Sequence, residues 1–420
     1  MAEILPFRAW RYNEALLKDI DHLTSPLFDV ASKKQKTALY GNPYNSIHLS
    51  IPSGECPSEN ASRILQKWQA EGSLLRDPVP GIYVYFQHFR LSGDPRLYCR
   101  KGFICKIKVY DWNQNVVLRH ENTMPGSVDE QVALLAATRL NASPTHGLYT
   151  DKSFELEKYM DASIQQPLCE TEDYQGIRDV LSVIRDPRTI ERFVNRMAEK
   201  KVILADGHHR YAGSLAYMKR QMAANQAHTG REGYNYHLMW LTNTEAKDLK
   251  ILPTHRLVKN LADFDAEAVI RRFERYFTVK PVANADHVNE IIAGKKWTFG
   301  LIFQENAFQA SLKPDVIHTM QWNFPKEIKR LDLTVMHYFI LQQILGIKGR
   351  EQSTSDCIEY ERSFAACLSK VLKGESQLAL ITNEVSIDDV KTVCGSGCTL
   401  PQKSTHFWPK VVCGFVFSSI

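Results

Sequence analysis

The chain has 420 residues, of which 44% are hydrophobic and 24% are charged, and its formal net charge is +5. This length exceeds one ordinary core, so two or three domains are expected. The small positive charge suits an anionic ligand but falls short of the basic surface of a dedicated nucleic-acid binder. No apolar run reaches the roughly 18 residues of a membrane span, and the N-terminus lacks a signal-peptide pattern, which favours a cytoplasmic protein.

The nine cysteines are odd in number and irregularly spaced, which indicates reduced thiols rather than a disulfide framework. Cys394 and Cys398 stand in the sequence CGSGC, a pair that half of a metal site would also show. Because neither a second pair nor nearby histidines accompany them, a glycine-rich turn between buried thiols is favoured. The sequence therefore predicts no metal site formed by protein ligands alone.

Strands and helices alternate along the first 250 residues. Alternating apolar residues predict strands at IYVYFQHF and GFICKIKVY, which a turn at SGDP separates. A helix is predicted around DEQVALLAATRL, and another begins where Asp186 can cap it and Pro187 suits the first helical position. Further strands are predicted at KVILA and YNYHLMWLTN.

The last third repeats this mixed pattern, with strands at WTFGLIF and LALIT and a buried helix, LTVMHYFILQQIL, that stops at Gly346. The alternation predicts an α/β (α+β) fold in which helices cover mixed sheets. We place the domain boundary near residue 250, which gives an N-terminal region of residues 1–250 and a C-terminal α/β domain of residues 251–420.

One stretch carries most of the chemical information, the sequence ADGHHR at the junction of a strand and a helix. Asp206 is placed to cap the helix, and Gly207 lets the backbone approach a bulky ligand closely. The next three residues, His208, His209 and Arg210, put cations at the positive end of the helix, which opposes helix stability by about 0.3–1 kcal/mol for each exposed charge. An anionic ligand reverses that sign, so the junction predicts a phosphate site. The alternative is that the two histidines only satisfy buried partners beside a turn.

At these residues the chain resembles a widespread bacterial and archaeal family of uncharacterised proteins. That family is related to the archaeal free-serine kinases of the ParB/sulfiredoxin-like superfamily, which hold nucleotide phosphates at the same kind of junction. The resemblance extends along the chain through PFRAWRYN, SPLFDV, RHENT, LLAATRLNASPTHGLYTD, LPTHRLV and LPQKSTHFWPK. It implies a ParB/sulfiredoxin-like nucleotide-binding part with an N-terminal elaboration.

The resemblance also implies a reaction. In the serine kinases a His-Glu pair precedes the junction that holds the nucleotide phosphates. The residues that match this pair here are His120 and Glu121. Glu121 would accept the proton of a serine-like hydroxyl, which typically contributes 10²–10⁴-fold to the rate. Asp206 would bind a metal ion or the acceptor hydroxyl, and His209 would donate to phosphate. The implied cofactor is ATP or ADP with Mg²⁺, held by the nucleotide and Asp206. Without the resemblance, Glu121 is one exposed acid after a strand.

Two departures from the family pattern affect this expectation. The Lys and Arg that usually flank Asp129 are Ser127 and Glu130 here, and the family's Pro-Pro-Tyr-Asp is Pro-Leu-Phe-Asp, which ends at Phe28 and Asp29. Lost cations weaken phosphate binding unless charge comes from elsewhere. Candidates to supply it are Lys403, Ser404, Thr405 and Lys410 in a C-terminal loop, and His255 and Arg256 in PTHR; the alternative for the loop is an ordinary solvated segment.

Three functional hypotheses follow. The first is a nucleotide-dependent kinase of a small hydroxyl metabolite, and the second is a non-catalytic nucleotide-binding or regulatory protein. The third, a DNA-associated role, is disfavoured because the chain has no basic stripe and no obvious helix-turn-helix. Glycine-rich dinucleotide and P-loop motifs are absent from the sequence. The oligomeric state is left open, with a homodimer as one alternative.

Overall fold

The structure is a computed structural model of the whole chain. It describes residues 1–27, 32–349, 351–352, 355–400 and 403–420. Phe28 and Asp29, where the chain departs from the family pattern, therefore lie outside the described residues. In the parts that the structure describes, no helix has both the length and the apolar character needed to cross a membrane. All nine cysteines are free thiols.

The chain folds into two compact units, and the α/β class predicted from the sequence is confirmed. The first unit contains residues Met1–Arg119, Thr123–Lys250 and Pro409–Ile420, and the second contains His120–Asn122 and Ile251–Trp408. The last twelve residues of the chain thus belong with its first half. Backbone hydrogen bonds in both directions between Trp10 and Phe417, of 2.9 and 3.0 Å, hold them there.

A nine-stranded mixed sheet forms the centre of the first unit within the described residues. Its strands pair antiparallel except at two places, where Val202–Asp206 runs parallel to Val117–Arg119 and Thr145–Tyr149 runs parallel to Tyr236–Asn243. In spatial order the strands are Val117–Arg119, Val202–Asp206, Thr145–Tyr149, Tyr236–Asn243, Asp94–Lys108, Ile82–Leu91, Arg178–Ile184 and Cys169–Glu172, with Ile4–Leu5 paired to Asp94–Lys108. Two short strand pairs complete the unit: Trp10–Tyr12 with Leu74–Arg76, and Leu140–Asn141 with Ser418–Ser419.

Helices cover this sheet, and their starts follow the capping signals in the sequence. The Asp186 carboxylate accepts a 2.8 Å hydrogen bond from the Thr189 backbone N–H, and Pro187 is the first helical residue, which confirms both expectations. The α-helices of the unit are Glu14–Leu17, Ile20–Leu23, Lys33–Tyr40, Ile47–Ser50, Pro57–Ala70, Pro125–Thr138, Glu157–Ser163, Pro187–Ala198 and His208–Ala224, and the 3₁₀ helices are Trp112–Gln114 and Gly233–Asn235.

The second unit is built on a six-stranded sheet whose pairs are all antiparallel. The order is Phe277–Val282, Ala307–Leu312, Thr298–Ile302, Leu378–Ile381, His255–Val258 and Ile358–Glu361, and short strands lie at Lys250–Leu252 and His406–Trp408. The α-helices are Ala266–Tyr276, Val288–Ile292, Lys326–Lys329, Asp332–Val335, Phe364–Leu372 and Ile387–Ser396, and the 3₁₀ helices are Ala285–His287 and Pro314–Thr319.

The predicted buried helix before Gly346 is present, but most of it is a π-helix, Met336–Ile344, that follows one α-helical turn. A π-helix uses i→i+5 hydrogen bonds, and an apolar run gives no sign of that change. Gly346 adopts a positive φ of 77°, which suits the end of the helix.

A close approach of two strands in the first unit depends on Gly102. A Cβ atom at this position would lie 2.6 Å from the Leu241 carbonyl oxygen and even closer to the indole nitrogen of Trp240. The absence of a side chain at Gly102 therefore leaves room for the Trp240 indole.

We expect Gly102→Ala to destabilise the protein by about 1–3 kcal/mol, because the added methyl group overpacks a site that cannot expand. Urea-induced unfolding measures the change. The control is Gly126→Ala, at an open position in the Pro125–Thr138 helix with no atom within 4 Å of the new Cβ. The control should be neutral or slightly stabilising, and an equal loss in both variants would contradict the packing argument.

Candidate functional site

The strand Val202–Asp206 passes directly into the helix His208–Ala224 through Gly207. Gly207 has a φ of +89°, and a Cβ atom there would lie 2.6 Å from the Thr145 methyl carbon, so both conformation and space require glycine. The helix begins with backbone N–H groups that have no partner inside the helix, and its dipole adds positive potential at the same end. The backbone at the junction thus favours nearby negative charge.

Asp206 does not cap this helix, so that expectation is wrong. The N-cap residue is Gly207, and no side chain caps the helix. The Asp206 carboxylate instead forms an ion pair with the Lys410 ammonium, and both side chains are largely buried. Burial alone would raise the pKa of Asp206, but the charges of Lys410 and Arg210, with a smaller contribution from His208, hold that pKa well below its usual range.

A second buried cation, Arg100, lies near this pair. Its guanidinium lies over the Trp240 ring, 4.8 Å from the ring centre, and the His146 ring also stacks on Trp240 with 4.7 Å between the ring centres. Arg100 is 1% exposed and donates to the Gln87 side-chain oxygen and the Pro409 carbonyl. Burial lowers the pKa of Arg100 to about 10, so it remains a cation at neutral pH.

Sequence reasoning missed Arg100, although the sequence held a signal for it. In the first part of the strand Asp94–Lys108, the buried residues Tyr98 and Gly102 alternate with the more exposed Cys99 and Lys101. Arg100 shares the parity of Tyr98 and Gly102 and therefore points inward. An arginine on the buried face of a strand is rare enough to count as a candidate for function.

The electrostatic balance around Asp206 is positive. Lys410 and Arg210 lower the pKa of Asp206, and the charge of Asp206 in turn acts to raise that of Arg100, so all three cations interact electrostatically with this carboxylate. Asp179 also lies near Arg100, but burial raises its pKa to about 7, and Tyr85 and Gln87 donate hydrogen bonds to it. At neutral pH Asp179 therefore carries only part of a negative charge.

Two other residues of the ADGHHR stretch, Arg210 and His209, already have hydrogen-bond partners. The Arg210 Nη1 donates to the Ser143 hydroxyl at 2.9 Å and to the Pro144 carbonyl at 2.7 Å. The His209 Nε2 accepts a 3.1 Å hydrogen bond from the Met124 backbone N–H, at the start of the Pro125–Thr138 helix. His209 therefore uses Nε2 as an acceptor, and donation to a phosphate would come from Nδ1.

The His120–Glu121 pair belongs to the second unit. The Leu400 backbone N–H donates to the His120 carbonyl at 2.6 Å, and Glu121 forms a parallel bridge with Leu400. The His120 ring Nε2 forms a hydrogen bond of 2.7 Å with the Thr405 hydroxyl, and the histidine is completely buried. Residues 120–121 and the C-terminal loop, which are far apart in the sequence, thus meet in this unit.

Tyr360 lies among several of the predicted residues of the second unit. The Lys403 ammonium lies 5.4 Å and the Arg256 guanidinium 5.2 Å from the centre of its ring. Burial raises the pKa of Tyr360, and the negative charge of Glu121 adds to that shift while Arg256 opposes it. Ser404, the next residue along the loop, is 3% exposed.

His255 and Arg256 occupy a strand of the second unit, and both are buried. The His255 Nδ1 accepts a 3.3 Å hydrogen bond from the Thr382 backbone N–H. Burial and the charge of Arg256 lower the pKa of His255 to about 4, so the imidazole is neutral at physiological pH.

The candidate residues thus fall into two groups, one in each unit. The first unit brings together Asp206, Gly207, His208, His209, Arg210 and Lys410, and the second holds His120, Glu121, His255, Arg256, Lys403, Ser404 and Thr405. Ser127 and Glu130 lie in the helix Pro125–Thr138, where the charge of Glu130 acts on His209. Cys394 is buried, and burial raises the pKa of its thiol to about 12.

A family model described as a protein of unknown function, DUF1015, matches residues 4–334. The chain belongs to this family. The comparison with curated proteins gave no match. Three solved structures are similar: a free serine kinase variant in complex with AMP, a conserved hypothetical protein from Pyrococcus furiosus, and a C-terminally truncated SbnI from Staphylococcus aureus.

These structural likenesses are weak. The identities are 12%, 13% and 10%, and the TM-scores are 0.36, 0.34 and 0.36. The matches cover 73%, 76% and 74% of this chain and 87%, 94% and 86% of the other chains, respectively. Similarity at this level says nothing about the activity of this chain.

We expect Asp206→Asn to destabilise the protein at pH 7 by about 3 kcal/mol, because it leaves buried cations without their carboxylate. Since the folded-state pKa of Asp206 is lowered, its contribution is full above the ordinary aspartate pKa of about 3.9 and is lost as the pH falls below it. Urea-induced unfolding between pH 7 and pH 3 measures this, and the difference between wild type and variant should shrink at the acid end.

The control for this substitution is Asp129→Asn, which removes an exposed carboxylate 3.5 Å from Arg220. Its effect should stay below about 1 kcal/mol. Sulfate should stabilise the Asp206→Asn protein more than the wild type, since it replaces the missing negative charge. A variant as stable as the control would contradict the charge balance described here.

Proposed function

We propose that the protein is a nucleotide-dependent phosphotransferase that phosphorylates a small, serine-like hydroxyl metabolite and holds the phosphates of ATP or ADP at the junction Asp206–Arg210. One observation carries the proposal: three cations, Arg100, Lys410 and Arg210, accompany a single permanently ionised carboxylate at the N-terminal end of a 17-residue helix. Such a site favours a ligand with more than one negative charge.

Backbone geometry supports the same ligand. Gly207 has no side chain to keep a phosphate away from the first N–H groups of the helix, and its positive φ turns the chain sharply at that point. Arg210 is anchored through Nη1, so its guanidinium has a fixed position. A pre-positioned cation loses little side-chain entropy on binding, which strengthens each charged hydrogen bond.

The general base in this proposal is Glu121, on the resemblance of the His120–Glu121 pair to that of the serine kinases. The substrate hydroxyl oxygen forms a bond to the transferred phosphorus, the bond from that phosphorus to the nucleotide oxygen breaks, and the hydroxyl proton passes to the Glu121 carboxylate. His120 positions this carboxylate through the neighbouring backbone, which its hydrogen bond to Thr405 fixes.

A magnesium ion would depend largely on the nucleotide. Among the described residues, no three His, Cys, Asp or Glu side chains are grouped so that they could hold a metal ion. Asp206, the carboxylate at the junction, is already paired with Lys410. Mg²⁺ in such sites is commonly bound by substrate phosphates with one or two carboxylates, and it supplies charge neutralisation on the transferred phosphoryl group.

A non-catalytic nucleotide-binding or regulatory role is the second candidate. It is favoured by the partners that Asp206 and Arg210 already have, and by Ser127 and Glu130, which stand where relatives carry cations. The same anion site would serve a protein whose stability or interactions respond to nucleotide. Turnover separates the two candidates.

We expect Arg210→Ala and Lys410→Met each to weaken ATP or ADP binding at least tenfold, since a charged hydrogen bond contributes roughly 1.5–3 kcal/mol. Isothermal titration calorimetry on the full chain measures the affinity. The matched control is Arg220→Ala on the same helix, where the arginine side chain is 63% exposed and pairs only with an exposed acid among the described residues. Nucleotide affinity that is unchanged in Arg210→Ala and Lys410→Met would remove the phosphate site.

Glu121→Gln tests the reaction separately from binding. We expect it to keep nucleotide affinity within about threefold and to reduce phosphorylation of hydroxy amino acids and other small alcohols by 10²-fold or more. Product formation is followed with labelled ATP or ADP and Mg²⁺. Nucleotide binding with no turnover in the wild type would favour the regulatory candidate, and turnover that survives in Glu121→Gln would exclude Glu121 as the base.

A further inference from the structure

The second unit contains a cavity of about 460 Å³. Arg256 lines it together with Thr254, Thr382 and Ser404, while Lys296 and Arg330 contribute exposed cations to its wall. The volume lies within the range of small-molecule pockets, roughly 300–1,000 Å³. All of these residues belong to the second unit, so the cavity is complete within it.

The Arg256 guanidinium is buried without a carboxylate partner among the described residues. The residue is 1% exposed, and no carboxylate among the described residues forms an ion pair with it. Its Nη1 donates to the Thr254 carbonyl, its Nη2 lies 3.4 Å from the His337 Nε2, and its face packs on the Tyr360 ring. Its Nε–H has no hydrogen-bond partner within the described part of the chain.

The neighbours of Arg256 cannot neutralise it. His337 lies between Arg256 and Gln352, and its Nδ1 is 2.6 Å from the Gln352 side-chain oxygen. Burial and the charge of Arg256 lower the pKa of His337 to about 3, so this imidazole is neutral and accepts from the guanidinium. Burial also lowers the pKa of Arg256, but only to about 10, so the guanidinium keeps its charge at physiological pH.

An ionised group without a counter-ion is strongly disfavoured in a protein interior, and so is a buried donor without an acceptor. Both conditions meet at Arg256, on the wall of a cavity with room for a ligand. We infer that this cavity binds a small molecule through one oxyanionic group, a carboxylate or a phosphate, which accepts hydrogen bonds from the Arg256 guanidinium. Thr254, Thr382 and Ser404 also line the cavity and would contribute polar contacts to such a ligand.

The charges that line the cavity limit how many negative charges the ligand can carry. Besides Arg256, the lining contains the cations Lys295, Lys296 and Arg330 and the acids Glu327, Asp332, Glu384 and Asp389. A ligand with many negative charges would meet those four acids, whereas a single carboxylate or phosphate needs only the Arg256 end. The inference does not depend on nucleotide binding in the first unit.

The test uses calorimetric titration of the full-length protein with inorganic phosphate and, separately, with acetate. Both series are done in an Arg210→Ala background, in which phosphate binding at Asp206–Arg210 is expected to be strongly weakened. We expect at least one of the two anions to bind, and Arg256→Met to weaken that binding at least tenfold. The matched control is Arg271→Gln, an exposed arginine of the same unit that pairs with surface acids outside the cavity, and it should leave the affinity unchanged.

The two anions identify the chemistry, since binding of phosphate alone or acetate alone shows which oxyanion the site prefers. If Arg256→Met does not fold, the double variant Lys296→Gln with Arg330→Gln, at exposed positions of the wall, is expected to weaken binding at least threefold. Equal affinity in the wild-type, Arg256→Met and double-variant cavities, or no binding of either anion up to about 10 mM, would overturn the inference. Nucleotide titration of the Arg256→Met protein with Arg210 intact measures nucleotide binding by the first unit independently of the cavity.

Discussion

The pairing of one carboxylate, Asp206, with several buried or half-buried cations is the constraint on which the first unit depends. Lys410 supplies the ion pair, and it comes from the segment Pro409–Ile420 rather than from the strand or helix of the junction. The same segment is held by Arg100 and Gln87, which donate to the carbonyls of Pro409 and Lys410. The site is therefore complete only when the end of the chain has packed onto the sheet formed by its first half.

Two buried histidines of the first unit, His146 and His237, do not add positive charge near this site. Burial lowers the pKa of His146 well below its ordinary value, and lowers that of His237 to about 3. Both rings act as neutral hydrogen-bonding groups, His146 with Thr242 and His237 with Thr145 and Ser214. Most of the positive charge of the junction thus comes from arginine and lysine, whose ionisation does not change across physiological pH.

Local sequence patterns predicted the features that are determined locally. A turn glycine between a strand and a helix identified Gly207, and the Asp-Pro pair before a helix identified the start of Pro187–Ala198. What the sequence could not show was decided by distant contacts. Asp206 looks like a helix cap in its own segment, but it pairs with a lysine 204 positions away. Arg100 stood in a correctly predicted strand, yet its role depends on Trp240 and Pro409, which no pattern within the strand can identify.

Each unit contains a buried arginine that packs on an aromatic ring instead of pairing with a carboxylate: Arg100 on Trp240 and Arg256 on Tyr360. Both donate to a backbone carbonyl, and in both the Nε–H lacks a partner among the described residues. A carboxylate would hold such a guanidinium firmly but would also neutralise it. An aromatic face and a carbonyl dipole fix its orientation and leave its net charge in place. This arrangement costs stability in the ligand-free protein, and an oxyanion that reaches the guanidinium recovers that free energy as affinity.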